Sequence, residues 1–556
     1  MVDETRPDEP VSRARRLETP SHDSVIEYRR LRSPSQHGQS LLVPDRDQIE
    51  RLWNQNLALA NSRVTLAEHP LEELHPFARG ELIKLATSYS QSYSQIDVAA
   101  RSHSRILLAG HQPELFHPGV WYKNFVLSEL GSRFGATPIN LVVDNDICGN
   151  ASIQFPGTDG DSVHLGSIPL VPAGPNIPFE ERTIDDLGYF HAFQDRAADA
   201  IQTVVPQPIV DRLWPHVMHA VSQLSSSAKP NLGQAKPKLG QAIAAGRHRL
   251  EQEIGLKTLE IPVSLISQTQ AFAIFLKSIL LDADQFRKVY NQSLSDYRKA
   301  NRIRSRSHPV PELETRDGWL EVPFWIWQVE SPNRRGLFVK RSRDTIVLSD
   351  RLDWQSKFPV QSFVEQVLTL GNQGVAIRPR ALTTTMYSRL VLSDLFLHGI
   401  GGAKYDQLTD VIMKRFFLVQ PPGFLTLSAT MKLPTELNIV RRTDLVRTNQ
   451  LIRDLKFHPE SHIRHPSPEA QQLIQQKRDW TIGAHQGERS RQKHEAIVSL
   501  NARLARHVEI ELQKVLATRS KQLTQIRAGE ILDSREYSFC LFPESLIGEL
   551  ERLATV

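Results

Sequence analysis

Cysteine is nearly absent from this 556-residue chain: Cys148 and Cys540 are the only two. Two thiols so far apart in so long a chain fit a reducing compartment better than a disulfide scaffold, so a cytoplasmic location is expected. No run of about eighteen apolar residues occurs, and no membrane span is expected. The N-terminus is charged and lacks the apolar stretch of a signal peptide, which argues against export. Charge of one sign is scarce as well. The formal net charge of +5 is too small at this length to argue for nucleic acid, though it permits an acidic small molecule. With 40% hydrophobic and 23% charged residues, the composition is that of a globular protein with room for a large core and more than one domain.

The chain is richest in information at Ile106-Leu-Leu-Ala-Gly-His-Gln-Pro-Glu-Leu-Phe-His-Pro-Gly-Val-Trp-Tyr-Lys123 and, soon after, at Ile139-Asn-Leu-Val-Val-Asp-Asn-Asp146. Each opens as a short apolar run and ends in Gly, His or Asp. A buried parallel strand that delivers polar groups to its carboxyl edge has this form. Between them Trp121, Phe125, Val126, Leu130 and Phe134 recur at helical spacing. Strand, polar turn, helix and strand make a βαβ unit of the doubly wound type, in which ligands sit at the carboxyl ends of the strands.

Candidate site residues follow from those ends. His111 suits anion binding or general acid–base work, or else pins its turn. His117, Pro118 and Gly119 open a helix whose free N–H groups favour an anion, with Lys123 one turn further on. Asp144 and Asp146 fall on one side of a strand by period-two geometry. There they could bind Mg²⁺, orient an amine or act as a base; an ordinary strand-to-turn junction would also place them so. A third polar cluster, His398-Gly-Ile-Gly-Gly-Ala-Lys-Tyr-Asp406, follows an apolar segment from Leu390 to Leu397 and precedes a helix. Its Gly401 and Gly402 would let a phosphate or carboxylate approach the backbone. Arg378, near another strand end, could clamp an anion or pair internally. No metal site is expected: His458, His462 and His465 lie in a Pro- and Ser-rich stretch without cysteine.

Along the chain, residues 1–40 are polar, Pro- and Ser-rich and expected to be disordered. An α/β core is expected over 41–430, with a helical insertion around 180–300. Pro156 to Pro178, rich in Gly and Pro with short strand-like pieces, reads as turns and loops, and 224–241 as a linker or loop between helices. Pro323 to Val329 and Leu337 to Val347 read as strands of a middle domain. Within the helical region 431–532, apolar residues from Ile497 to Ile526 predict one helix of about forty residues able to form a coiled coil. A docking segment is expected over 533–556.

In this order the landmarks resemble the cysteine-adding enzyme family of bacillithiol biosynthesis, the cysteine ligases. Gly110, Gln112, Leu115, Phe116 and Lys123 match the family's first motif, with His111 in place of a Gln and His117-Pro118-Gly119 in a different local order. Asp144 and Asp146 keep both aspartates of the next motif without its His. Arg378-Pro379, Thr383 to Thr385, Gly401-Gly402 and the closing Leu541-Phe542-Pro543 are similar to later elements, but Tyr405 and Asp406 stand where the family has its Glu.

The resemblance implies an α/β fold with a Rossmann-like core, helical insertions and a long C-terminal coiled-coil helix. It also implies a ligase-like enzyme joining an amino acid, cysteine by analogy, to an amine-bearing or sugar-derived metabolite. His111, Asp144 and Asp146 would be catalytic. Gly110, Gln112, His117, Gly119, Lys123, Arg378, Gly401 and Gly402 would bind substrate and nucleotide, the latter ATP or ADP with Mg²⁺. The alternative is a catalytically degenerate nucleotide-binding or scaffold protein that assembles with copies of itself through its long helix.

Overall fold

In a computed structural model of the chain the described residues are Ile26, 31–59, 64–94, 105–159, 162–226, 236–303, 310–435, 442–482 and 488–555. Most of the expected N-terminal disordered segment, and residues 227–235 of the expected linker, lie outside them. Residues 31–40 are described and lead into β1 (Gln39–Val43). The chain continues through α1 (Leu71–Gln91), β2 (Ile106–His111), α2 (Pro118–Phe134) and β3 (Thr137–Val142). A hairpin of β4 (Ser152–Asp159) and β5 (Ser162–Pro169) precedes α3 (Leu239–Glu253), β6 (Leu259–Pro262), α4 (Gln270–Leu280) and α5 (Ala283–Ala300). Then come β7 (Thr315–Arg316), β8 (Trp319–Gln328), β9 (Ser331–Arg341), β10 (Thr345–Ser349), β11 (Gln355–Pro359) and β12 (Val375–Pro379). The short helix α6 (Ala381–Tyr387) leads to β13 (Leu395–His398), α7 (Ile400–Ile412) and β14 (Phe424–Thr430). Helices α8 (Arg442–Phe457), α9 (Pro468–Ile482), α10 (Glu488–Ala505) and α11 (Glu509–Leu532) follow.

The fold is mixed α/β. Its first six-stranded sheet runs β1-β14-β13-β2-β3-β6. Five of these strands are parallel, and β1 lies antiparallel on β14 at the edge. Alternate residues of β2 serve two cores, because successive side chains of a strand point to opposite faces. Ile106 and Leu108 pack with α1 and α4, whereas Leu107 and Ala109 pack with Trp121, Phe125 and Leu130 of α2. Burial on both faces explains why β2 and β3 are apolar runs and do not alternate. Chain order along the sheet reverses between β2 and β13, and both strands end there in a histidine.

The second sheet is antiparallel, in the order β7-β8-β9-β10-β11 with β12 on the free side of β8. It contains the strands expected of a middle domain. Val322, Phe324, Ile326, Leu337 and Val339 on one face join the core under α1 and α4. Trp325 and Trp327 carry cations: Arg380 and Arg334 lie 4.1 and 4.5 Å from the Trp325 ring centre, and Arg378 lies 5.6 Å from that of Trp327.

Two sequence expectations change. The Gly- and Pro-rich stretch after Pro156 contains much of the β4–β5 hairpin, paired from Ser152 against Pro169 to Asp159 against Ser162. Its second strand, β5, is largely exposed, so it carries little of the apolar alternation that would have marked it. The expected forty-residue helix is interrupted by a 3-10 turn at Arg506–Val508. Leu500 and Leu504 on one side of the break pack with Leu473 of α9, while Val508 and Leu512 pack with Ile452 and Leu455 of α8. Each half thus has its own partner helix. Among the described residues no helix is long and apolar enough to cross a membrane.

The start of β13 is fixed by Asp394, 3% exposed. Its carboxylate accepts Ile106 N–H at 2.8 Å and an Arg79 N–H at 2.7 Å, and its carbonyl accepts Asn56 at 2.8 Å. Removing one member of a buried pair strands the other. We expect Asp394→Ala to cost about 3 kcal/mol or more, and Asp394→Asn, which keeps one acceptor, to cost less. The shift in urea midpoint measures both.

Candidate functional site

A cavity of about 740 Å³ opens where the strand order reverses. That volume is within the usual range for small-molecule sites, and a reversal of strand order is where open α/β sheets bind ligands. Gly110, His111 and Gln112 from the end of β2 line one wall, with His117, Gly119 and Lys123 from the turn into α2. His398, Gly399, Ile400, Gly401, Gly402 and Lys404 line the opposite wall, and Thr384 and Thr385 of α6 contribute from the side. Arg32, Ser428, Arg535 and Glu536 complete the rim. Eight of the residues anticipated from sequence therefore meet at one place: Gly110, His111, Gln112, His117, Gly119, Lys123, Gly401 and Gly402.

Lys123 is 3% exposed, and its ammonium donates to the Gly110 carbonyl at 2.7 Å. Burial, followed by the Arg247 guanidinium nearby, lowers its pKa to about 8. His111 is lowered to about 3 by burial, followed by Lys123, and packs edge-on against Phe116. It stands in the cavity as a neutral imidazole. His117 caps α2, its Nδ1 accepting the Gly119 N–H at 3.1 Å. Burial lowers it to about 4, against the opposing pull of Glu536. Gly119 is required there, because a Cβ would sit 2.3 Å from the Ala429 carbonyl oxygen.

His398 was not among the anticipated site residues. The register of β13 on β2, Leu395 against Leu107 through Leu397 against Ala109, brings it level with Gly110. It is 5% exposed and flanked by Phe396 and Phe424, with ring centres 4.5 and 4.9 Å away. Its Nε2 lies 2.8 Å from Asp406 Oδ2. Asp406 also accepts Arg389 at 2.5 Å and the Thr385 hydroxyl at 2.8 Å. Burial raises the carboxyl, but Arg389 and His398 outweigh it and hold it well below the ordinary carboxylate range. A carboxylate fixing one imidazole nitrogen while the other remains available is a general acid–base arrangement. One signal for His398 was legible: Leu-Phe-Leu-His ends an apolar run and precedes a helix, as Leu-Leu-Ala-Gly-His does. Arg535 had none, since it reaches Ser428 and Thr430 from beyond α11.

Three anticipated residues face elsewhere. β3 ends at Val142, so its alternation does not extend to the aspartates. Asp144 is 7% exposed and accepts the Ser264 N–H at 3.0 Å and the Ser264 hydroxyl; burial raises its pKa against those hydrogen bonds. Asp146 accepts Arg334 at 3.0 Å and Gln112 at 3.1 Å. Arg378 makes a two-pronged pair with Glu180, at 3.0 and 2.9 Å. Burial raises the Glu180 carboxyl to about 7 even so. Among the described residues no group of three or more His, Cys, Asp or Glu could hold a metal ion.

No protein-family model matches the chain, and no curated protein is similar to it at a significant level.

Lys123 makes stability depend on pH. Its folded pKa is lowered from 10.5 to about 8, so between those values the unfolded chain binds more protons and stability rises with pH. We expect a Lys123→Met variant to lose this increment relative to wild type, as read from thermal midpoints between pH 7 and 10.

Proposed function

We propose that this chain is a ligase-like enzyme with a Rossmann-like core that binds a nucleotide in the cavity between β2 and β13. The observation that carries this reading is the cavity itself. Lys123, Lys404, Arg32 and Arg535 line it, Glu536 is the one carboxylate lining it among the described residues, and His398, held by Asp406 behind it, forms part of its wall. Such a lining suits a polyanion and one proton transfer. Further support comes from the stretches that resemble the cysteine-adding family of bacillithiol biosynthesis. Gly110, Gln112 and Lys123, then Thr384 and Thr385, then Gly401 and Gly402 are distant in sequence and border this one cavity.

In the proposed reaction an amino-acid carboxylate takes a phosphoryl or nucleotidyl group from ATP. An amine then attacks the acyl carbon, the amide C–N bond forms, and phosphate or AMP leaves with the C–O electrons. His398 takes the proton that the amine releases, and Asp406 stabilises the resulting imidazolium. Lys123 and the rim cations hold the phosphates. Mg²⁺ would accompany the nucleotide, since Asp144 and Asp146 are engaged by Ser264 and Arg334. Cysteine as the amino acid rests on the family resemblance alone.

A second reading, a nucleotide-binding scaffold without turnover, draws on the same engagement of Asp144, Asp146 and Arg378 in internal contacts.

Thermal shift of the full chain with ATP, ADP and AMP, with and without Mg²⁺, tests binding. A nucleotide at 100 times its Kd stabilises by about 2.7 kcal/mol. ADP or AMP release that depends on an added amino acid, and that falls by about 10²-fold or more in His398→Gln, supports the ligase. Binding without turnover favours the scaffold, and no stabilisation by any nucleotide contradicts both.

A further inference from the structure

Two helix N-termini meet at the cavity, and they are not equivalent. At α2 the donors are consumed: Pro118 has no N–H, Gly119 N–H goes to His117 Nδ1, and Val120 N–H goes to the His117 carbonyl at 2.9 Å. The Ala429 carbonyl also crowds Gly119. At α7 the N-cap is Gly399, which has no side chain to offer. The first N–H with a partner is that of Ala403, bonded to the Gly399 carbonyl at 3.0 Å. The N–H groups of Ile400, Gly401 and Gly402 have no partner among the described residues, and all three residues line the cavity.

One buried side chain points independently to a ligand at this turn, and a second borders the same cavity. His398 is bound through Nε2 to Asp406, while its Nδ1 has no partner among the described residues. That atom faces the first turn of α7, 2.6 Å from where a Cβ on Gly402 would stand; the absence of that Cβ admits the ring. On the opposite wall the ammonium of Lys123 has the Gly110 carbonyl as its one hydrogen-bond acceptor among the described residues. Three free N–H groups and a buried ammonium bordering one cavity make an oxyanion site, and Nδ1 joins them as a donor once the His398 ring holds the proton it takes in the reaction.

We infer that the terminal phosphates of the ligand sit on the first turn of α7, residues Gly399–Gly402, between His398 and Lys123, and not on the His117–Gly119 turn into α2. The identity of the ligand as a nucleotide rests on the function proposed above; the phosphate site itself does not.

Gly401 allows a direct test. A Cβ there meets nothing within 4 Å, and an aspartate in the first turn of a helix favours the fold while repelling a phosphate. Calorimetric titration of the full chain with inorganic pyrophosphate, ATP and adenosine would compare wild type with Gly401→Asp and the uncharged Gly401→Asn. The expected result is pyrophosphate and ATP affinity reduced tenfold or more in Gly401→Asp, a smaller loss in Gly401→Asn, and undiminished thermal stability. Pyrophosphate affinity equal in wild type and Gly401→Asp would overturn the site, even where ATP binds and the nucleotide reading stands. No pyrophosphate binding to wild type would overturn it too. Pyrophosphate bound and lost on substitution, with no nucleotide bound, would keep the phosphate site and remove the nucleotide reading.

Discussion

One buried carboxylate, that of Asp406, joins the parts of this molecule that face the cavity. It is 1% exposed and takes donors from three elements: Arg389 just after α6, Thr385 of α6 and His398 of β13. Arg389 also reaches Asp410 and the Pro422 carbonyl, so the segment leading into β14 is held by the same cluster. An ionised carboxylate out of water is tolerated only when its lone pairs are satisfied and its charge is countered. Both conditions are met here, and together they leave the His398 ring one orientation. The availability of Nδ1 at the first turn of α7 is a consequence of that constraint.

The same logic accounts for the neighbouring ionic layer. Glu180 and Asp146, both from the chain between β3 and α3, meet Arg378 and Arg334 of the second sheet, and within that sheet Glu321 of β8 meets Arg380 at the end of β12. The cations are further stacked on Trp327 and Trp325. These charges neutralise one another, whereas among the described residues the cations of the cavity have few carboxylates to meet. The contrast separates groups that hold the fold together from groups left for a ligand.

Much of the core was legible in sequence because parallel strands buried on both faces read as apolar runs, and Ile106–His111 and Thr137–Val142 are such runs. The helix between them was equally plain from the spacing of Trp121, Phe125, Val126 and Leu130. The apolar stretch from Leu390 to Leu397 was harder, since its first part is the end of a π-helical turn at Ser388–Leu392 and only Leu395–His398 is strand. For that reason the sequence points to the glycines of the third polar cluster as site residues and not to the His398 that opens it. The aspartates mark a different limit. Period-two alternation predicts a shared face only while the strand lasts, and β3 ends before Asp144. Partners such as Ser264, Glu180 and Arg334 arrive from distant elements, and no local pattern announces them.

A crystal structure of the full chain with a non-hydrolysable ATP analogue would test the central claim most directly, that the reversal of strand order between β2 and β13 is the ligand site. The account predicts the analogue in this cavity, its phosphates within hydrogen-bonding distance of the backbone of residues 400–402 and of Lys123. An analogue bound on another surface, with the cavity between His111 and His398 filled by water alone, would contradict it.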